Sequence, residues 1–205
     1  MKILFISYKK NSLTGERELY EQDLMIDVLG FDRSLLDLGL LTILARTPDD
    51  IEVSLQDEYL SEIDYDEDCD LVAISAKTSC APAAYRIADE FRFKGKKVVL
   101  GGIHASLRPE EALEHVDYIV TGEAEDVWLD FLADFRKGEA QQRYDAKEFP
   151  SMDDIPHPEY AQLDPKKFLF HQIQTTRGCP YMCRFCSVPD ISGRSFRFKP
   201  VEKVI

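Results

Sequence analysis

The sequence predicts an α/β fold: a doubly wound, five-stranded parallel sheet, followed by the start of a second unit. Three observations predict it. Short apolar runs alternate with helix-periodic segments over residues 1–140, the order that builds parallel sheets with helices on both faces. The runs KILFIS, LVAIS and KVVL are continuously apolar, as strands covered on both faces are. From residue 137 to 167 the chain turns polar and proline-rich, with Pro150, Pro156, Pro158 and Pro165, and an apolar run then resumes at Phe168.

Residues 2–7 (KILFIS) are a strand. The opening MKILFISY is too short for a signal-peptide core and lacks a small-residue cleavage site. Residues 34–45 (SLLDLGLLTILA) place apolar side chains at helical spacing, with Asp32 or Ser34 as N-cap. Residues 51–56 alternate as a half-buried strand does, and residues 71–75 (LVAIS) are a buried one. A helix over 81–93 ends at Gly95. A strand over 97–100 runs into Gly101-Gly102, and a short helix opens at Pro109. A strand over 118–120 ends at Thr121-Gly122, and a helix over 124–136 closes the domain. Residues 141–167 read as a linker, 168–175 (FLFHQIQT) as a new strand, and 201–205 as the first turn of a helix. In sheets of this kind ligands bind at the carboxyl ends of the strands, near the point where strand order reverses.

The net charge of −13 argues against nucleic acid, whose phosphates need Lys and Arg, and against anionic membrane surfaces. Residues 56–70 (QDEYLSEIDYDEDCD) concentrate the acid and read as solvated loop, with Cys69 incidental. No apolar run approaches the roughly 20 residues that span a bilayer, so a cytoplasmic protein with reduced thiols is expected. Three of the 5 cysteines nevertheless cluster in TTRGCPYMCRFCSVPD, as Cys179-x-x-x-Cys183-x-x-Cys186. Zinc usually takes four ligands from two separated pairs, and Cys69 and Cys80 stand apart. Three thiolates on one loop suit an iron–sulfur cluster with one iron left open. Spacing alone leaves cluster, zinc and structural thiols as readings.

With Phe185 before Cys186, the loop resembles the cluster loop of radical S-adenosylmethionine enzymes, as do the preceding RGCP and the following GRSFRFKPVEKVI. Residues 74–128 resemble the cobalamin-binding, Rossmann-like domain that precedes the radical barrel in a large subgroup of that family. The matching features are the Ser-rich turn after 71–75, Gly-Gly-x-His at 101–104, Pro-Glu-Glu at 109–111 and Gly-Glu-x-Glu at 122–125. The resemblance implies that Cys179, Cys183 and Cys186 bind three irons of a 4Fe-4S cluster, and that S-adenosyl-L-methionine binds the fourth and yields a radical on one-electron reduction. It implies a flavodoxin- or ferredoxin-like electron donor and a small-molecule substrate. It also implies a corrin tail pocket lined by Gly101 and Gly102, with Ser75 and Thr78 bonding to the tail, Gly122 and Glu123 closing the far side, His104 in contact, and Tyr8 over the corrin face. The Asp-x-His-x-x-Gly that supplies a lower cobalt ligand in other cobalamin domains is absent after the first strand, where SYKKNSLTGE contains no histidine.

The resemblance covers residues 1–140 as cobalamin-binding domain and 168–205 as the start of a (βα) barrel. The barrel would be cut off after one strand. The chain is therefore expected to be a fragment that binds cobalamin and a cluster without turning over. Its parent would be a methyltransferase acting on unactivated carbon. A radical enzyme whose first domain has lost cobalamin, and a non-catalytic cobalamin-binding or electron-transfer module, are the alternatives.

Overall fold

The computed structural model describes residues 1–8, 37–158, 160 and 172–205. Among these, six parallel strands form one sheet in the order β2-β1-β3-β4-β5-β6. The strands are β1 (Lys2–Ser7), β2 (Glu52–Asp57), β3 (Leu71–Ser75), β4 (Lys97–Gly101), β5 (Tyr118–Thr121) and β6 (Arg143–Asp145). Strand order reverses beside β1, which pairs with β2 on one edge and β3 on the other. Loops leaving neighbouring strand ends diverge at such a point and open a crevice.

Alternate side chains of each strand meet different helices, because successive Cβ atoms point to opposite faces. Leu4, Ile6, Val72, Ile74, Val98, Leu100 and Ile119 pack against α2 (Ala81–Phe93) and its neighbours, the short helices α3 (Gly102–Leu107) and α4 (Pro109–His115). Ile3, Phe5, Leu71, Ala73, Val99 and Val120 pack against α1 (Leu38–Arg46) and α5 (Val127–Lys137). Both faces are thus buried, which is why the strands read as unbroken apolar runs. On the second face Phe131, fully buried, sits in an aromatic cluster, with ring centroids 5.4 Å from Trp128, Tyr118 and Tyr144.

Several expectations change. The sheet has a sixth strand, β6, inside the segment read as linker. Its ladder to Ile119, Val120 and Thr121 needs only backbone groups, so the polar Arg143-Tyr144-Asp145 extends the edge without an apolar run to announce it. The N-cap of α1 is Asp37, whose carboxylate accepts from the Leu40 N–H at 3.2 Å. The expected caps Asp32 and Ser34 lie outside the described residues. The acidic stretch after β2 is not all solvent surface. Cys69 is buried, and Ile63 and Tyr65 pack on the core. Glu67 accepts from Ser54 at 2.7 Å and from Gln56, and pairs with Lys2 at 3.1 Å.

Of the strand expected over 168–175, residues 168–171 lie outside the described set and 172–175 carry no strand. The strand there is β7 (Thr176–Arg177), antiparallel to β8 (Arg197–Phe198). Between them lies α6 (Val188–Ser192). The turn expected to start a helix at 201 is a 3₁₀ turn over Val201–Lys203. No described helix is long and apolar enough to cross a membrane.

Candidate functional site: a crevice walled by the cysteine-loop stem

Two adjoining cavities open at the carboxyl ends of the strands. The first, about 220 Å³, lies between the sheet and the α1–α5 layer. Its floor is Phe5, Ala73, Val99 and Val120, its sides include Ser75, Gly101, Gly102 and Gly122, and Trp128 backs it. The second, about 360 Å³, lies over the strand-order reversal and is bounded by Tyr8, Ser75, Lys77, Cys80, Gly102 and the start of α1. Leu38, Gly39, Leu40, Ser75, Gly102 and Gln174 line both.

The glycine turns after β4 and β5 shape this end of the sheet. Gly102 has φ +91°, and a Cβ there would stand 2.8 Å from the Ala76 carbonyl oxygen and 2.9 Å from both the Ala76 nitrogen and Ser75 Oγ. Only a residue without a side chain allows the β3 and β4 ends to approach so closely. Ser106 joins the two turns: its hydroxyl donates to the Gly102 carbonyl and accepts from the Gly122 N–H, both at 2.9 Å. Tyr8 donates to the Ser75 carbonyl at 3.2 Å. Burial raises the Tyr8 pKa far above the usual phenol value, with Cys80 and Asp37 acting in the same direction. Lys77 is paired with Asp37 at 3.0 Å, which ties the turn after β3 to the start of α1.

His104, expected to contact a cofactor, has protein partners on both ring nitrogens. It is buried on α3, with Nε2 2.8 Å from Tyr85 Oη and 3.3 Å from Glu111, and Nδ1 3.4 Å from Thr78 Oγ1. Neither His104 nor Thr78 is among the residues lining the two cavities. The imidazole instead knits α2, α3 and α4 to the turn after β3. Its reason is satisfaction: a buried ring with two polar nitrogens needs partners, and Tyr85, Glu111 and Thr78 supply them.

Glu123 lines the first cavity, and its carboxylate is also committed to a buried ion network. Arg177 donates to Glu123 at 3.0 Å and to Glu125 at 2.5 Å, and Arg197 donates to the other oxygen of Glu123. Glu123 and Glu125 are each 5% exposed at the side chain and Arg177 9%. Burial alone would lower the Arg177 pKa, but bonding to Glu125 and the charges of both acids hold it above the ordinary guanidinium value. Nearby, burial and the Arg177 charge lower the pKa of Lys199. Glu125 Oε2 and Arg197 Nε are buried without a hydrogen-bond partner among the described residues.

The network fastens the cysteine loop to the domain. Arg177 precedes Gly178-Cys179, and Gln174, Arg177 and Ser192 form one wall of the first cavity. Gly178, at φ +80°, lies so near the carbonyls of Ser192, Gly193 and Ser195 that a Cβ would stand 2.1 Å from the last. The Cys179 N–H donates to Gly193 at 3.0 Å. Cys179, Cys183 and Cys186 are free thiols, with Cys183 exposed. Cys186 closes a turn onto the Cys183 carbonyl at 3.1 Å. Among the described residues no three His, Cys, Asp or Glu side chains stand together as a ready metal site, so the loop presents its thiols without converging them. Around them Tyr181, Met182 and Phe185 are exposed.

Sequence reasoning missed Arg177, Glu125 and Ser106 as site residues. The first two stood in plain view in RGCP and in Gly-Glu-x-Glu, but nothing in a linear sequence pairs them across 52 positions.

Comparison with known proteins bears on the α/β domain and on the chain as a whole. Residues 36–132 match the family model for the B12 binding domain. The chain is 43% identical over 170 residues to bacteriochlorophyllide d C-8(2)-methyltransferase of Chlorobaculum tepidum, covering 78% of this chain and 37% of that protein. It is 34% identical over 141 residues to bacteriochlorophyllide d C-12(1)-methyltransferase of the same organism, covering 66% and 31%. It is 30% identical over 188 residues to hopanoid C-2 methylase of Rhodopseudomonas palustris, covering 89% and 35%. The chain thus spans about a third of the length of these curated relatives. Its α/β domain carries a match to the B12 binding domain, in a chain similar over most of its length to proteins named as methyltransferases.

Proposed function

We propose that this chain is the cobalamin- and cluster-binding part of a cobalamin-dependent radical S-adenosylmethionine enzyme, a methyltransferase acting on an unactivated carbon of a small molecule. The observation that carries the reading is the crevice itself. A cavity at the carboxyl ends of β1, β3, β4 and β5 is walled on one side by the stem of a three-cysteine loop. The B12 binding domain match supports the first cofactor, the names of the relatives support methyl transfer, and the Cys-x-x-x-Cys-x-Phe-Cys pattern supports the second.

The residues present suit both groups. Gly101, Gly102, Gly122 and Ser75 would hold the cobalamin tail in the first cavity, whose apolar floor suits a flat heterocycle. Tyr8 and Lys77 would border the ring at the second. Cys179, Cys183 and Cys186 are three unbridged thiols on one loop, the donor set a 4Fe-4S cluster takes while leaving a position for S-adenosylmethionine. When bound, the groups supply a radical and a transferable methyl. The chain's own residues hold, orient and shield them. Arg177, Glu123, Glu125 and Arg197 set the cysteine loop against the cavity, and His104 and Thr78 brace the turn after β3 from behind. A flavodoxin- or ferredoxin-like protein would deliver the electron, in the cytoplasm.

The test is anaerobic reconstitution of the chain with iron, sulfide and hydroxocobalamin, followed by desalting and metal counts. The reading expects about one cobalt and about four irons per chain, the iron lost when Cys179, Cys183 and Cys186 become Ala. Iron without cobalt would favour a radical enzyme whose domain no longer binds cobalamin. A protein that takes up only zinc would sink the cluster assignment.

A further inference from the structure

We infer that Arg177 is a positioning residue that couples the occupant of the first cavity to the geometry of the cysteine loop, so that cobalamin and the cluster strengthen each other's binding. The inference rests on the reading above, and goes beyond it in making the two sites one thermodynamic unit.

Three observations carry it. First, the cavity is composite: strand ends form most of it, but Gln174, Arg177 and Ser192 come from the segment that carries the cysteines. Second, the joint is directional. The two guanidinium groups and two carboxylates balance in charge, and Arg177 spans both acids with separate N–H groups at 3.0 and 2.5 Å. A planar fork held this way fixes the direction of the chain that bears it. Burying such charges is a poor route to stability compared with apolar packing, so their specific gain is orientation. Third, the joint passes directly into the ligand loop. Cys179 follows Arg177 after Gly178, whose contact with the carbonyls of Ser192 and Ser195 leaves the backbone little room to absorb a shift. A ligand that settles Gly122–Glu125 therefore settles Arg177 and the Cys179 backbone. A cluster that settles Cys179 returns the same constraint to the cavity wall. Coupling of this kind is reciprocal, and the shared wall is ordered only once. The unpartnered Glu125 Oε2 shows that the wall's polar groups are not all satisfied within the described residues.

The test titrates the full chain anaerobically with hydroxocobalamin, followed by absorbance, with and without prior loading by iron and sulfide. Loading should tighten Kd about tenfold, within the usual range for coupled sites. In the double variant Glu125→Gln/Arg177→Gln, which removes both charges together, the ratio of the two Kd values should fall to about one. Arg177→Lys keeps the charge and loses the fork, and should lose most of the ratio while remaining folded if the double variant does not. Equal Kd values for the loaded and unloaded wild-type chain would overturn the inference, as would a ratio preserved in Arg177→Lys. Failure to bind hydroxocobalamin in either state would instead sink the cobalamin reading, and the inference with it. Should the chain take up no iron, alkylation decides. Bound cyanocobalamin should slow labelling of Cys179 several-fold relative to exposed Cys183, and an unchanged ratio of rates would overturn the coupling.

Discussion

Replacing Gly102 by Ala tests whether close backbone approach shapes the crevice. The new Cβ would meet the Ala76 carbonyl oxygen at 2.8 Å and the Ala76 nitrogen at 2.9 Å. Neither atom is free to move. The Ala76 N–H donates to Gly101 at 3.0 Å, and the Ala76 carbonyl accepts from His104 N–H at 2.9 Å. The backbone angle alone costs an L-residue about 1–2 kcal/mol, and overpacking into fixed neighbours adds about 1–3 kcal/mol. Gly102→Ala should therefore destabilise the chain by about 2–5 kcal/mol. Gly95→Ala is the matched control: its φ is +79°, but a Cβ there has nothing within 4 Å, so it bears only the angular cost of about 1–2 kcal/mol. Urea unfolding of both variants, compared at equal slope, separates the two contributions. If Gly102→Ala proves no less stable than Gly95→Ala, close approach at the β4 end does not shape the crevice as argued.

Further outcomes follow from the packing and the charges. Phe131→Ala empties the centre of the aromatic cluster and should cost about 3–5 kcal/mol in the same assay. Asp37→Ala removes the cap of α1 and should cost about 0.5–2 kcal/mol, whereas Asp37→Asn should retain most of the stability; the half-exposed partner Lys77 adds little. On the alkaline side, Tyr8 and Tyr85 are held neutral in the fold, chiefly by burial. Unfolded tyrosines ionise near about pH 10, so the folded state binds more protons above that point and stability should fall as pH rises. Tyr8→Phe should flatten that fall in urea unfolding at high pH. On the acid side, burial opposes ionisation of Glu67, but hydrogen bonds from Ser54, Gln56 and Lys2 outweigh it and hold its pKa below the usual value. That contribution is present above the ordinary carboxylate range and lost as pH falls through the folded value. Glu67→Gln should make the acid limb shallower.

Element type was legible wherever the local pattern had one cause. KILFIS, LVAIS and KVVL are strands because both their faces are covered, and the helix over 81–93 shows its apolar stripe directly. Where local pattern and tertiary need diverge, the reading failed. β6 is polar in sequence and becomes a strand because the β5 edge has free backbone groups. Cys69 looked incidental within acid and is buried in the core cluster of β1, β3, β4 and α2, against which Ile63 and Tyr65 also pack. Gly101, Gly102, Gly122, Ser75 and Tyr8 line the cavities, at or just after the strand ends to which the rule for parallel sheets points. That rule works because parallel strands deliver all their carboxyl ends to one side.

The sequence by itself determined the α/β class, the end of the sheet that carries the crevice, and the cysteine spacing, since these depend on residue type, period and order. Only the tertiary structure decided that His104 faces Tyr85 and Glu111 rather than the cavities, and that Glu123 and Glu125 meet Arg177 and Arg197. It alone showed the stem of the cysteine loop to be a wall of the crevice. The physical reason is that a buried polar group takes whichever partner the packing brings within hydrogen-bond reach. Packing joins residues whose separation along the chain carries no signal.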